Sequence, residues 1–149
     1  MKITDEILGE MTFDESLGSF EGEILINGEN VDFGISVDDI NDKETVERLI
    51  SDFKKFIADF DKWDKRIREF AAKALTDNAN DWLQDSLEDD EEFVEITEEK
   101  FAERMVLNSI GFDENGFDVY YDDADMFWGH CILVYGTLEN GIEEAQIAG

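Results

Sequence analysis

From Val46 to Trp82 the apolar residues fall at Val46, Leu49, Ile50, Phe53, Phe56, Ile57, Phe60, Trp63, Ile67, Phe70, Ala71, Ala74, Leu75 and Trp82. Steps of three and four place them on one stripe of a 3.6-residue helix. Aromatic rings dominate the stripe, so the helix needs a large apolar partner, and the two ends of the chain can supply one as a sheet. A single rod over 43–83 would be about 60 Å long, too long for a compact domain of this size. A break is therefore expected at Asp59–Asp64 or at Thr76–Asn80, and the second has the better turn chemistry. Asp42 is a suitable N-cap, and the spacings Glu44–Arg48, Asp61–Lys65, Asp64–Arg68 and Glu69–Lys73 suit ion pairs along the helix.

On either side of this segment the period changes to two. Residues 10–38 read as a three-stranded meander, with Met11, Phe13, Phe20, Gly22, Ile24, Ile26, Val31, Phe33, Ile35 and Val37 alternating with mainly acidic or small residues. In the second half Val106, Ile110 and Phe112 share a face with Asn108, Phe117, Val119 and Tyr121 follow, and 131–138 is apolar on both faces, as in a central strand. Asn-Gly pairs at 27, 115 and 140 separate strand-like runs and are strong hairpin signals, because both residues tolerate positive φ. Thr97 is placed to cap a short helix ending at Arg104 or Met105. The fold class is α+β: one domain over 1–149, with a mainly antiparallel sheet of six or seven strands from residues 10–38 and 105–148. The N- and C-terminal meanders pack against the central helical segment.

Charge is the second constraint. The 149 residues include 40 acidic and 12 basic side chains, for a net charge of −28. Nine of the bases lie between Lys43 and Lys73, where acids number seven, so the other 118 residues carry 33 acids and three bases (Lys2, Lys100 and Arg104). A surface of that kind repels nucleic acid and anionic membranes and favours a basic protein or cations. Solubility alone is the plainer reading of the same charge. Cys131 is the sole cysteine, which excludes an internal disulfide and a cysteine-built zinc cage. Met1–Glu6 lacks a long apolar run and no later segment is apolar enough to span a bilayer, so a reducing bacterial-type cytoplasm is the expected compartment.

The densest group of chemistry-bearing residues is 122–131, which combines Asp122, Asp123 and Asp125 with Phe127, Trp128, His130 and Cys131. A Cys-His catalytic pair fails if Cys131 opens a strand, since adjacent strand residues point to opposite faces. The spacing of the three aspartates fits no calcium loop, and clustered Asp before Gly is ordinary turn chemistry. No catalytic residue, metal ligand or cofactor is therefore assigned. The acidic run with Glu88, Asp89 and Asp90, and the segment with Asp122, Asp123, Asp125, Trp128 and His130, are the candidate contacts for a basic partner. Trp128 adds an aromatic anchor to the carboxylates.

The run Asp125-Met126-Phe127-Trp128-Gly129-His130-Cys131-Ile132-Leu133-Val134, with the ending Ala145–Gly149, resembles the signature of an uncharacterised bacterial domain family of unknown function. The likeness takes in Lys62–Lys65 and Glu69–Ala71 and covers the C-terminal two-thirds of the chain. Small acidic α+β domains of this kind are suspected to be immunity proteins of bacterial toxin systems, so the resemblance implies a bacterial, cytoplasmic, single-domain protein and supplies no catalytic residues. The expected function is an acidic cytoplasmic binding protein that neutralises a basic partner such as a toxin domain. A nucleic-acid-mimic role follows from the same electrostatics. The competing readings are a carboxylate- or metal-dependent hydrolase built on Asp122, Asp123, Asp125 and His130, and a structural domain of no catalytic role.

Overall fold

A computed structural model describes residues 1–85, 87, 92–124 and 130–148. Four strands come first: β1 (Lys2–Asp5), β2 (Gly9–Asp14), β3 (Ser19–Ile26) and β4 (Glu29–Ser36). Three helices follow, α1 (Lys43–Ala58), α2 (Phe60–Asp85) and α3 (Glu98–Arg104). The chain closes with β5 (Val106–Asp113), β6 (Gly116–Asp122), β7 (Cys131–Thr137) and β8 (Gly141–Ala148). All eight strands form one sheet in sequence order. Every pairing is antiparallel except β4 with β5, where Asp32–Ile35 run parallel to Ser109–Phe112. The helices make the crossover that a parallel pair requires. The α+β architecture expected from the sequence is the one found, with eight strands rather than six or seven. The additional strand is β1, where Ile3 lies opposite Met11, and four residues are too few to show a period.

The aromatic stripe meets the sheet as expected over α1 and the start of α2, but further along Ala74 is exposed and Phe70 half-buried, while Ala72 and Ala79, which the stripe did not include, are buried. Phe53, Phe56 and Phe60 are buried. The Phe53 ring lies 5.0 Å from Phe33 and 5.4 Å from Phe112, and Phe56 stacks on Phe117 at 4.7 Å. Trp63 meets the same Phe117 edge-on at 5.1 Å. Helix α1 thus sits over the β4–β5 junction, while α2 continues towards β7 and β8.

The break falls at Asp59, the first of the two expected places, and α2 runs unbroken through Thr76–Asn80. The Asp59 carbonyl accepts from the Lys62 and Trp63 amides at 3.0 and 3.1 Å, so the residue that ends α1 also starts α2. The turn-forming residues at 76–80 have been put to other use. The Thr76 hydroxyl donates to the Ala72 carbonyl within the helix. Asn80 is buried, and its amide group donates to the Ile96 carbonyl at 3.0 Å while its oxygen accepts from the Ile96 amide at 2.7 Å. One side chain thereby satisfies both backbone groups of a buried residue that has no strand neighbour.

Both expected caps form. Asp42 accepts from the Thr45 amide and hydroxyl, and Thr97 from the Lys100 amide. Of the four spacings suited to helical ion pairs, only Asp64–Arg68 closes among the described residues, and Arg48 reaches across to Glu114 instead. Surface pairs of this type compete with solvation and with side-chain entropy, so spacing alone does not form them. In β5 the register steps from Leu107–Tyr121 to Ser109–Tyr120, leaving Asn108 as an extra residue. That bulge puts Leu107 on the core side and Val106 in solvent, opposite to the face assigned to Val106 from the alternation. A one-residue slip inverts every side chain beyond it.

Candidate functional site

Burial alternates along the central strands, with one face of the sheet under the helices and the other open. The eight strands contain twelve acidic residues and one base, Lys2. Lys2 is on an edge strand and pairs with Glu10 at 3.1 Å. The remaining eleven bases all lie in the segment from Lys43 to Arg104, between the two meanders. The fold therefore separates net charge between a mixed-sign helical layer and an acidic sheet, although Asp5 of β1 turns to the helices and pairs with Lys54 of α1 at 3.0 Å.

The middle of the open face is built on two glycines. Register runs directly across four strands from Glu21 to Gly34, Gly111 and Asp118. The next row is Glu23, Asp32, Ser109 and Tyr120. Both carboxylates of the first row lean over the neighbouring glycine. A Cβ at position 34 would lie 3.0 Å from Glu21 Oε2, and one at position 111 would lie 2.5 Å from Asp118 Oδ2. Glycine permits this close approach, since a side chain at either position would have to push the carboxylate end above it aside. The result is a trough of about 270 Å³ with a backbone floor, and the described residues that line it all belong to β3–β6.

The trough has a distinct electrostatic character. Ser19 is buried and its hydroxyl donates to Glu21 Oε1 at 2.7 Å. No ion pair among the described residues involves Glu21, Asp32 or Asp118. Partial burial, reinforced by the charge of Asp113, pushes the Asp118 carboxyl above its ordinary range. Burial likewise raises the Tyr120 phenol, followed by the fields of Asp118 and Cys131. A positive group entering the trough would favour the ionised forms and so oppose both shifts.

The segment singled out from the sequence is divided between the two faces. Asp122 ends β6, exposed, and pairs with Cys131 across the open face. His130 is one residue earlier and on the helical side, its ring edge-on to Trp82 at 5.4 Å. Asp122 and His130 thus do not converge. Asp123 is fully buried and engaged within the protein. At Ala124, which has a positive φ of 48°, the carbonyl accepts from Arg104 at 2.8 Å. Asp125 and Trp128, and likewise Glu88, Asp89 and Asp90, lie outside the described residues. Among the described residues no group of three or more His, Cys, Asp and Glu side chains is arranged to hold a metal, and no helix is long and apolar enough to cross a membrane.

Sequence reasoning missed the trough. Its signal was present, since a glycine inside a strand marks a close approach, and Gly34 and Gly111 both interrupt strand patterns. That they are neighbours depends on the one parallel pairing, which no local pattern encodes.

A family model described as "Uncharacterized protein conserved in bacteria" matches residues 5–147, well beyond the C-terminal two-thirds that carried the resemblance. No curated protein and no solved structure gives a significant match.

Proposed function

Taking as premise that the chain belongs to the bacterial family DUF2262 of uncharacterized proteins, we propose that it is an acidic binding protein that holds and neutralises a basic protein partner in the cytoplasm, in the manner of an immunity protein. The separation of charge by the fold carries this reading. Twelve acids and one base lie in the strands, while the helical layer keeps nearly all the bases. A predominantly acidic sheet accelerates encounter with a cationic partner and disfavours anionic ones, and both effects weaken as salt rises. The separation of Asp122 from His130 speaks against the carboxylate hydrolase, because a catalytic group of that composition has to converge on one pocket.

The test is co-expression with the product of the adjacent gene in a bacterium that carries this chain. Under this reading the neighbour alone arrests growth, the pair grows, and the purified complex dissociates as salt is raised. A neighbour that is harmless, or that forms no complex with the chain, overturns the immunity reading. A complex indifferent to salt overturns the electrostatic basis.

A further inference from the structure

The open face of the sheet has no covering layer among the described residues, and its centre is a polar trough rather than an apolar groove. An uncovered sheet face is ordinarily hidden by a second layer or left evenly polar. Here the polarity is concentrated. Two glycines remove all side-chain bulk from the middle, the Glu21 and Asp118 carboxylates overhang that floor from either side, and Asp32, Ser36, Ser109 and Tyr120 complete the rim. The acceptors lie over the glycines themselves, Glu21 above Gly34 and Asp118 above Gly111, one on each side of the β4–β5 pairing.

Two carboxylates placed over one strand pairing, with a phenol in the next row, decide which cation suits the trough. A guanidinium presents donors around a flat fork, can be shared between two carboxylates, and stacks on an aromatic ring. An ammonium is a compact point charge that satisfies acceptors on one side at a time and holds its water more strongly. We propose that this face is the docking surface for the basic partner, and that an arginine side chain of that partner seats on the Gly34–Gly111 floor between Glu21 and Asp118, beside Tyr120. This rests on the reading of the chain as a binder of basic protein and adds where the partner docks and which residue anchors it. Charge complementarity commits the occupant to a basic protein: no base is among the described residues lining the trough, and a phosphate backbone would be repelled by Glu21, Asp32 and Asp118.

The experiment titrates the full chain at low salt with an oligo-arginine peptide and an oligo-lysine peptide of equal length. Affinity is measured by calorimetry, and the backbone amides are followed by NMR. Two doubly neutralised variants are compared, Glu21→Gln/Asp118→Asn at the trough and Glu98→Gln/Glu99→Gln on α3, which remove the same charge. Their melting temperatures are checked against the parent. The expected result is tighter binding of oligo-arginine than of oligo-lysine, with shifts concentrated at Gly34 and Gly111. Loss should be about tenfold or more for the trough variant and about twofold for the α3 variant, as fits loss of partly desolvated charge-assisted bonds against a general charge effect. Equal losses in the two variants, or shifts spread away from the glycines, overturn the docking site and leave the acidic-binder reading standing. Equal affinity for the two peptides overturns the choice of arginine. Failure of the parent chain to bind either peptide overturns the docking inference, and co-expression with the adjacent gene product then decides the broader reading separately.

Discussion

The Tyr121 hydroxyl donates to Asp64 Oδ1 at 2.5 Å, joining the middle of the sheet to the first turns of α2. Arg68 completes the arrangement. Its Nε lies 3.0 Å from both Asp64 oxygens, its guanidinium carbon lies 5.0 Å from the Tyr121 ring centre, and its Nη1 donates to the Ala102 and Met105 carbonyls at the end of α3. Burial and the Asp64 carboxylate push the Tyr121 phenol above its usual range, which keeps it a donor at neutral pH. Three elements are held by one network in which each member has a partner. Tyr121→Phe removes one donor while leaving Asp64 with Arg68, and should cost about 1–3 kcal/mol. Asp64→Ala strands a partly buried guanidinium and should cost about 2–4 kcal/mol, the range for buried pairs reduced for partial exposure. Urea denaturation checks both, and equal costs would mean that Arg68 does not depend on Asp64.

Phe56 touches Phe53, Phe60, Trp63, Phe112 and Phe117, and is fully buried. Phe56→Ala should therefore destabilise the fold by about 3–5 kcal/mol, with the midpoint of unfolding as the measurement.

Replacing Asn80 with Ala leaves the buried Ile96 amide and carbonyl without partners and should cost about 2–3 kcal/mol. Hydrogen exchange at the Ile96 amide should accelerate more than at core amides of β7. Uniform acceleration across the sheet would instead indicate global unfolding, without a local role for Asn80.

Asp118 has a raised carboxyl in the folded chain, so the native state holds its proton to higher pH than the unfolded state does. Its contribution to stability is accordingly fully present below the unfolded aspartate value and is lost as pH rises through the folded one. Asp118→Asn cannot ionise, so above this window it should melt higher than the parent, and the gap should close as pH falls towards the ordinary aspartate range. Melting curves across pH read this directly. A constant gap would assign the effect to packing.

The parts of the fold that were legible are those whose determinants are local. The caps at Asp42 and Thr97, the Asn-Gly turns and the aromatic stripe as far as Ile67 each act within a few residues and are found where the spacing put them, whereas Ala74, placed on the stripe, is exposed. What could not be read depends on distant partners. Thr76–Asn80 has turn chemistry, but Asn80 is used 16 residues away at Ile96, so tertiary satisfaction outweighs local preference. The bulge at Asn108 is fixed by the register against β6, and the face of Val106 inverts with it. Of the candidate site, Asp122 lies on the open face, but the trough needs Gly34 and Gly111, 77 positions apart, to be brought side by side.

Seven pairings hold this sheet together, and six are closed by chain that returns almost at once. The seventh, β4 against β5, must wait for the whole helical segment to be laid down, so it is the slowest contact to become productive. The glycine floor straddles that seam. The first half of the chain carries one glycine with Glu21 and Asp32 and the second the other glycine with Asp118, and neither half alone can present the trough. Whatever binds there recognises a completed molecule and, by bridging the seam, clasps the two halves shut.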